Sequence, residues 1–158
     1  MDDFEQFFRA SYPRVVRTLT ITVGSRDRAE ELAQEAFARA FRRWRVVRRA
    51  DRPEAWVIVV AMNVERRRWN RAGKEASRAP APERESADPA DVVVTSLTTS
   101  DALGLLSPRQ RAVVVLRYLA DLPFAQVADA LGMTEGTARA TLHQALTRLR
   151  VELAEGDA

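Results

Sequence analysis

The chain has 158 residues, 46% of them hydrophobic and 30% charged, with a net charge of +3, which allows one domain or two small ones. It has no cysteine and a single histidine, His143, which excludes disulfides, thiolate metal sites, His-based zinc sites and a serine-type triad. The glycines are scattered and form neither GxGxxG nor GxxxxGK, so neither an enzyme activity nor a cofactor is expected.

The first elements read as helices. Asp3 with Gln6 forms a capping-box pattern ahead of Phe4, Phe7 and Phe8. Pro13 starts or kinks a second stretch carrying Val15, Val16 and Leu19, which Gly24 ends. Asp27 with Glu30 gives another capping box. Behind it, Ala29, Leu32, Ala33, Ala36, Phe37, Ala40, Phe41 and Trp44 recur at helical spacing, with Glu31, Gln34, Glu35 and Arg39 on the opposite stripe. Arg52-Pro53 marks the next start, with proline at the first helical position, and Trp56, Val57, Val60, Ala61 and Val64 are its expected buried face.

Two arginine clusters bracket that helix. Six arginines fall between Arg42 and Arg52, around Trp44, and four between Arg66 and Arg71, around Trp69. Guanidinium forks pair with phosphates and aromatic planes stack on unpaired bases, so the pattern suits single-stranded nucleic acid; a solvated arginine face is the other reading. Asn63, Arg66, Arg67 and Asn70 lie at i, i+3, i+4, i+7, an expected outward stripe of amides and guanidiniums able to meet base edges. Trp56 and Trp44 are assigned to the core, while Trp69 stands between core edge and stacking.

Residues 72–99, including APAPERESADPADV, have the proline, alanine and alternating charge of an unpacked linker, and VVVTSLT at 92–98 reads as its passage into a helix rather than a strand. A capping box at Ser107 and Gln110 opens the next helix. Pro123 then opens a short helix with Phe124, Val127, Ala128 and Leu131 on one face, Gly132 suits a C′ position, and Thr134 caps a longer helix over about 135–153. The apolar seam of that last helix is Ala138, Leu142, Ala145, Leu146 and Leu149. Short helix, glycine turn and long helix make a helix-turn-helix, or else an αα-hairpin that only packs.

The charge is uneven along the chain. Residues 1–71 carry 16 arginines against 10 carboxylates, residues 72–101 carry a net −3, and residues 102–158 are neutral. A lone DNA-binding domain would be basic itself, so the two ends of the chain are expected to share one nucleic acid. There is no apolar run of membrane-spanning length, and MDDFEQFFRASY lacks a signal-peptide core, so a cytoplasmic location is expected.

Three segments taken together resemble the extracytoplasmic-function (ECF, group 4) sigma factors of the sigma-70 family, and in particular an actinobacterial subgroup. RAEELAQEAFARAFRRW resembles their region 2.1–2.2, RPEAWVIVVAMNVERRRWNR their region 2.3–2.4, and the stretch from Leu106 to Arg150 their region 4. The resemblance implies an all-α fold of two small helical domains: region 2 at 1–71, a flexible linker at 72–100, and a region 4 helix-turn-helix at 101–158. It implies a non-catalytic subunit that binds core RNA polymerase and directs promoter recognition and transcription initiation. Glu31, Gln34, Glu35 and Arg39 would meet the β′ clamp coiled coil, with the β flap as a second polymerase contact. Arg45, Arg48, Arg49, Asn63, Arg66, Arg67 and Asn70 would hold the −10 element. Glu135, Gly136, Thr137, Arg139, Ala140 and His143 would read the −35 duplex, with Arg109 and Arg111 on phosphates. An anti-sigma partner is common in the family, although no residue here marks one. The linker would either mimic nucleic acid in a polymerase channel or act as a tether.

Family members commonly carry a sequence such as GTVKSRLHRAR where this chain has GTARATLHQAL, so Thr141, Gln144 and Leu146 stand where arginines are common; either the −35 contribution is small, the favoured expectation, or Thr141 and Gln144 read bases directly. The competing expectation is a free-standing helix-turn-helix regulator that binds operator duplex as a dimer; an adaptor that binds only protein fits the arginine–tryptophan clusters poorly.

Overall fold

A computed structural model describes residues 3–76 and 102–156, and among these only helices, turns and irregular segments occur. The expected linker, including VVVTSLT, lies outside the described residues apart from its first few positions. The helices with both ends described are α1 Asp3–Val23, α2 Arg26–Arg42, α3 Trp44–Val47, α4 Pro53–Ala76, α5 Pro108–Val114, α6 Phe124–Leu131 and α7 Glu135–Gly156, and residues 102–104 are helical as well. Between α5 and α6 the chain continues from α5 into a π-helical turn at Val115–Leu119.

Several boundaries differ from expectation, each for a local reason. Pro13 neither starts nor breaks a helix: α1 passes through it, with Val15, Val16 and Leu19 buried on its inner face. Tertiary burial outweighs the backbone hydrogen bond lost at the proline. The cap of α2 is Ser25, not Asp27; its extended backbone lets Oγ accept from Arg28 N at 3.2 Å. The apolar stripe of α2 is buried through Ala40, but Phe41 is 59% exposed and Trp44 has passed into α3, since the helix ends at Arg42. α4 runs on to Ala76, because Ala72, Lys74, Glu75 and Ala76 are strong helix formers despite Gly73.

The largest difference concerns α4. Its buried seam is Ala55, Val57, Ile58, Ala61, Met62 and Glu65, while Trp56, Val60 and Val64 are only half-buried. The sequence hides this seam because it ends on a carboxylate. Glu65 is 1% exposed and is held by Arg28 Nε at 2.8 Å and Arg68 Nη1 at 3.3 Å. Burial acts to lower the Arg28 pKa, but its bonds to Glu65 and Glu31 outweigh this, and the net direction is upward.

α1 packs on α2, α2 on α4, α4 on α6, and α5 and α6 on α7. The two helical groups therefore share one hydrophobic core, which runs from Val15, Leu32, Phe37 and Met62 into Val113, Leu116, Leu122, Val127, Leu131 and Ala138. At the outer end of α1, rings of Phe4, Phe7, Phe8, Tyr12, Phe37, Phe41 and Trp44 stack or meet edge-on with centroids 5.0 to 6.3 Å apart.

Candidate nucleic-acid interface

Three groups of side chains singled out in the sequence lie on three different surfaces. The first is on α4. Asn63 and Arg66 are half-buried, and both meet the C-terminal end of α6. With its amide oriented to satisfy its surroundings, Asn63 Nδ2 donates to Asp129 O at 3.0 Å and Ala130 O at 3.1 Å. Arg66 lies against Gly132, where a Cβ would overlap the guanidinium. Gly132 also has φ +65°, a left-handed conformation that favours glycine at this turn. Asn70 Oδ1 accepts from Arg109 Nη2 at 3.0 Å, and Arg67 is exposed.

Two more arginines cross between the helical groups. Arg52 donates to Ala120 O at 2.8 Å and to Asp121 O at 2.7 Å, at the end of the π turn. Arg111 donates from Nε to Thr22 O at 3.0 Å, at the end of α1, and burial lowers its pKa. In both cases, as with Asn63, a side-chain donor takes carbonyls that a helix end leaves unpaired. Sequence spacing could not show this, because the partners are backbone atoms distant in the chain. Arg109 and Arg111, expected on phosphates, are in this structure engaged by Asn70 and by α1. Half-buried Trp69 packs against the core beside a cleft of about 200 Å³ bordered by Glu65, Arg68 and Arg111, the core-edge alternative of its two readings.

The second group lies on α2 and the loop after it. Glu31, Gln34 and Glu35 are exposed and Arg39 is half-buried, so they share an open face. Arg39 pairs with Glu35 at 2.7 Å and Arg28 with Glu31 at 3.0 Å, surface pairs that contribute little stability and leave the face polar. Arg45, Arg48 and Arg49 are exposed, with Arg48 3.2 Å from Asp3.

The third group lies on α7. Thr134 Oγ1 accepts from Thr137 N at 3.1 Å, and Glu135, Gly136, Thr137, Arg139, Ala140 and His143 all lie exposed on the first turns. Beneath them Ala138, Leu142 and Ala145 are buried and Leu146 packs against the core. Leu146 is thus a packing residue in this chain, and an arginine there would have to leave that contact. The Phe124 ring lies between two guanidiniums, Arg139 at 4.4 Å and Arg117 at 4.8 Å, so the one cation near the start of α7 is stacked and oriented.

The described residues form an N-terminal bundle with a basic loop and a C-terminal helix-turn-helix. The description Sigma-70 region 2 matches residues 7–75, and Sigma-70, region 4 matches residues 102–151. The chain is 34% identical over 157 residues to an RNA polymerase sigma-E factor of Streptomyces coelicolor, covering 98% of this chain and 88% of that one. It is also 34% identical over 138 residues to the ECF RNA polymerase sigma factor SigL of Mycobacterium tuberculosis, covering 84% of this chain and 78% of that one.

The chain belongs to the sigma-70 family, in its extracytoplasmic-function branch.

Its fold is similar to that of two solved structures, one of them a sigma factor. The sigma factor RpoE of Bartonella quintana, in complex with the anti-sigma factor NepR, matches with a TM-score of 0.71 and 20% identity over 100% of both chains. CnrH, in complex with the cytosolic domain of CnrY, matches with a TM-score of 0.58 and 19% identity over 98% of this chain and 89% of that one. In this sigma factor, α1 to α4 overlap the region 2 match and α5 to α7 the region 4 match. Among the described residues, no helix is long and apolar enough to cross a membrane.

Proposed function

We propose that this sigma factor binds core RNA polymerase through the α2 face of Glu31, Gln34, Glu35 and Arg39. It places α4 and the Arg45–Arg49 loop on the opened −10 element and the start of α7 on the −35 duplex. The subunit has no chemistry of its own and works in the cytoplasm on the nucleoid. The different chemistry of the stripes supports this division of labour. The α2 stripe carries carboxylates and a glutamine, suited to steering and register on a basic partner surface. The α4 stripe and its loop carry guanidiniums and amides, suited to phosphates and splayed bases. The α7 face offers one stacked arginine with small residues beside it, suited to close approach in a major groove. Region 2 is expected to span 1–71 with α4 extended to Ala76, and region 4 to span 101–158.

With a single basic residue among the six positions on the reading face of α7, and Leu146 turned inward, the −35 element contributes less than the −10 element. Anti-sigma control is part of the proposal, since the similar sigma factor RpoE was solved with an anti-sigma factor.

Adding the chain to core polymerase and mapping transcript 5′ ends across a genomic promoter library tests the assignment. Discrete new start sites are the expected result. Tight operator binding in the absence of polymerase, at a palindromic site, would instead mark a free-standing dimeric regulator.

A further inference from the structure

Arg139 carries the one guanidinium among the reading positions of α7. Glu135 stands four residues before it, the spacing at which a helix favours an ion pair. Glu5 with Arg9 and Glu35 with Arg39 make that pair at 2.7 Å. Among the described residues Arg139 pairs with no carboxylate, and its guanidinium lies instead on the Phe124 ring, 4.4 Å from the centroid.

The ring is held from behind. Phe124 opens α6, is half-buried and packs against the core. Its other face is covered by the Arg117 guanidinium at 4.8 Å, and Arg117 Nη1 donates to Leu122 O at 3.0 Å. Leu122 is fully buried. A line of contacts thus runs from the core through Leu122, Arg117 and Phe124 to an exposed arginine.

Stacking occupies the face of a guanidinium and leaves its N–H edge free. A fork with one face on a ring keeps its donors in one plane, the arrangement that two acceptors on a base edge require. A phosphate is neutralised by a cation in many orientations and needs no such plane. An arginine free to swing loses rotamer entropy on binding, and the ring removes part of that loss in advance. Gly136 and Ala140, exposed beside Arg139, leave room for its approach to a groove floor.

On the reading of α7 as the −35 face, we propose that Phe124 is a positioning residue for sequence recognition: by holding the Arg139 fork in one plane, it makes Arg139 distinguish base pairs instead of only neutralising phosphate.

The test uses holoenzyme reconstituted from core polymerase and the full-length chain. Its probe is a promoter duplex taken from a mapped start site, with the −35 base pairs randomised. Sequencing bound and unbound DNA gives the preference at each position. Arg139→Ala marks the position that Arg139 reads. Phe124→Leu and Phe124→Met keep an apolar side chain but remove the π face. Both are expected to lower the preference at that position from about tenfold to about twofold. The other positions and the salt slope of binding are expected to hold, because the cation is still present. Phe124→Tyr, which retains the ring, is expected to keep the full preference. In the free chain, the Arg139 Nε–H signal in NMR is expected to be ordered and shifted by the ring current, and to lose both features in Phe124→Leu.

Full preference in Phe124→Leu and Phe124→Met, at the position that Arg139→Ala flattens, would overturn the positioning role. So would an equal loss at every position, the mark of a helix-turn-helix that has merely been loosened. Should Arg139→Ala flatten no position, the reading of α7 as the −35 face fails, and the positioning role with it.

Discussion

The α4 stripe and the α7 face carry similar residues at helical spacing, yet one is covered and the other is bare. Asn63 donates to carbonyls at the end of α6, Asn70 accepts from Arg109 and Arg66 lies against Gly132, whereas Glu135, Thr137, Arg139 and His143 are exposed. The difference lies in what faces each helix. α4 meets the C-termini of other elements, where unpaired carbonyls attract donors, while α7 presents its own N-terminus, where the unpaired groups are donors themselves. A polar stripe is thus a statement of chemical capacity; a second element decides whether it is free.

The largest expected effect concerns what sets α4 in place. Glu65→Ala leaves Arg28 partly buried without its carboxylate and should cost about 3 kcal/mol in urea unfolding. A loss under about 1 kcal/mol would mean that α4 is oriented by apolar packing alone.

Leu122→Ala comes next, at about 2–4 kcal/mol, since Leu122 is fully buried where the two halves meet. The comparison requires one unfolding transition to shift as a whole. If only the C-terminal half melted earlier, the covering of α4 would be too weak to matter.

Arg139→Ala probes the bare face and should lower duplex affinity by about 1–3 kcal/mol and the salt slope by about one. A uniform loss over all sequences would reduce Arg139 to a phosphate contact. Smallest is Ser107→Ala. It removes a capping box in which Ser107 Oγ and the Gln110 side chain both bond backbone N–H groups at 3.2 Å, and should cost about 1 kcal/mol by thermal unfolding.

Much of the fold could be read directly from the residues. Ser107, Pro53, Gly24, Gly132 and Thr134 mark helix ends because capping and positive φ are local properties. The buried stripes of α2, α6 and α7 were legible because they are uniformly apolar. On α4, Val57 and Ala61 are buried as expected, but Trp56, Val60 and Val64 are only half-buried because the seam contains Glu65, whose burial depends on Arg28, 37 positions away. The π turn, with Tyr118 and Leu119 exposed, has no marker in the apolar pattern. For the candidate site, the residue types were evident, but the acceptors of Arg52, Asn63 and Arg111 are backbone oxygens of distant helices, which side-chain spacing does not encode. The match to both sigma-70 regions supplied the biological context for those residue types.

The most direct test pairs Glu35→Arg with Asn63→Ala and measures, for each, affinity for core polymerase and strand opening at a cognate promoter. Glu35→Arg is expected to weaken polymerase binding and to leave opening normal once the complex is saturated. Asn63→Ala is expected to bind polymerase like the unchanged chain and to open the promoter poorly. Equal loss of polymerase binding in both variants would contradict the assignment of the two helices to different partners.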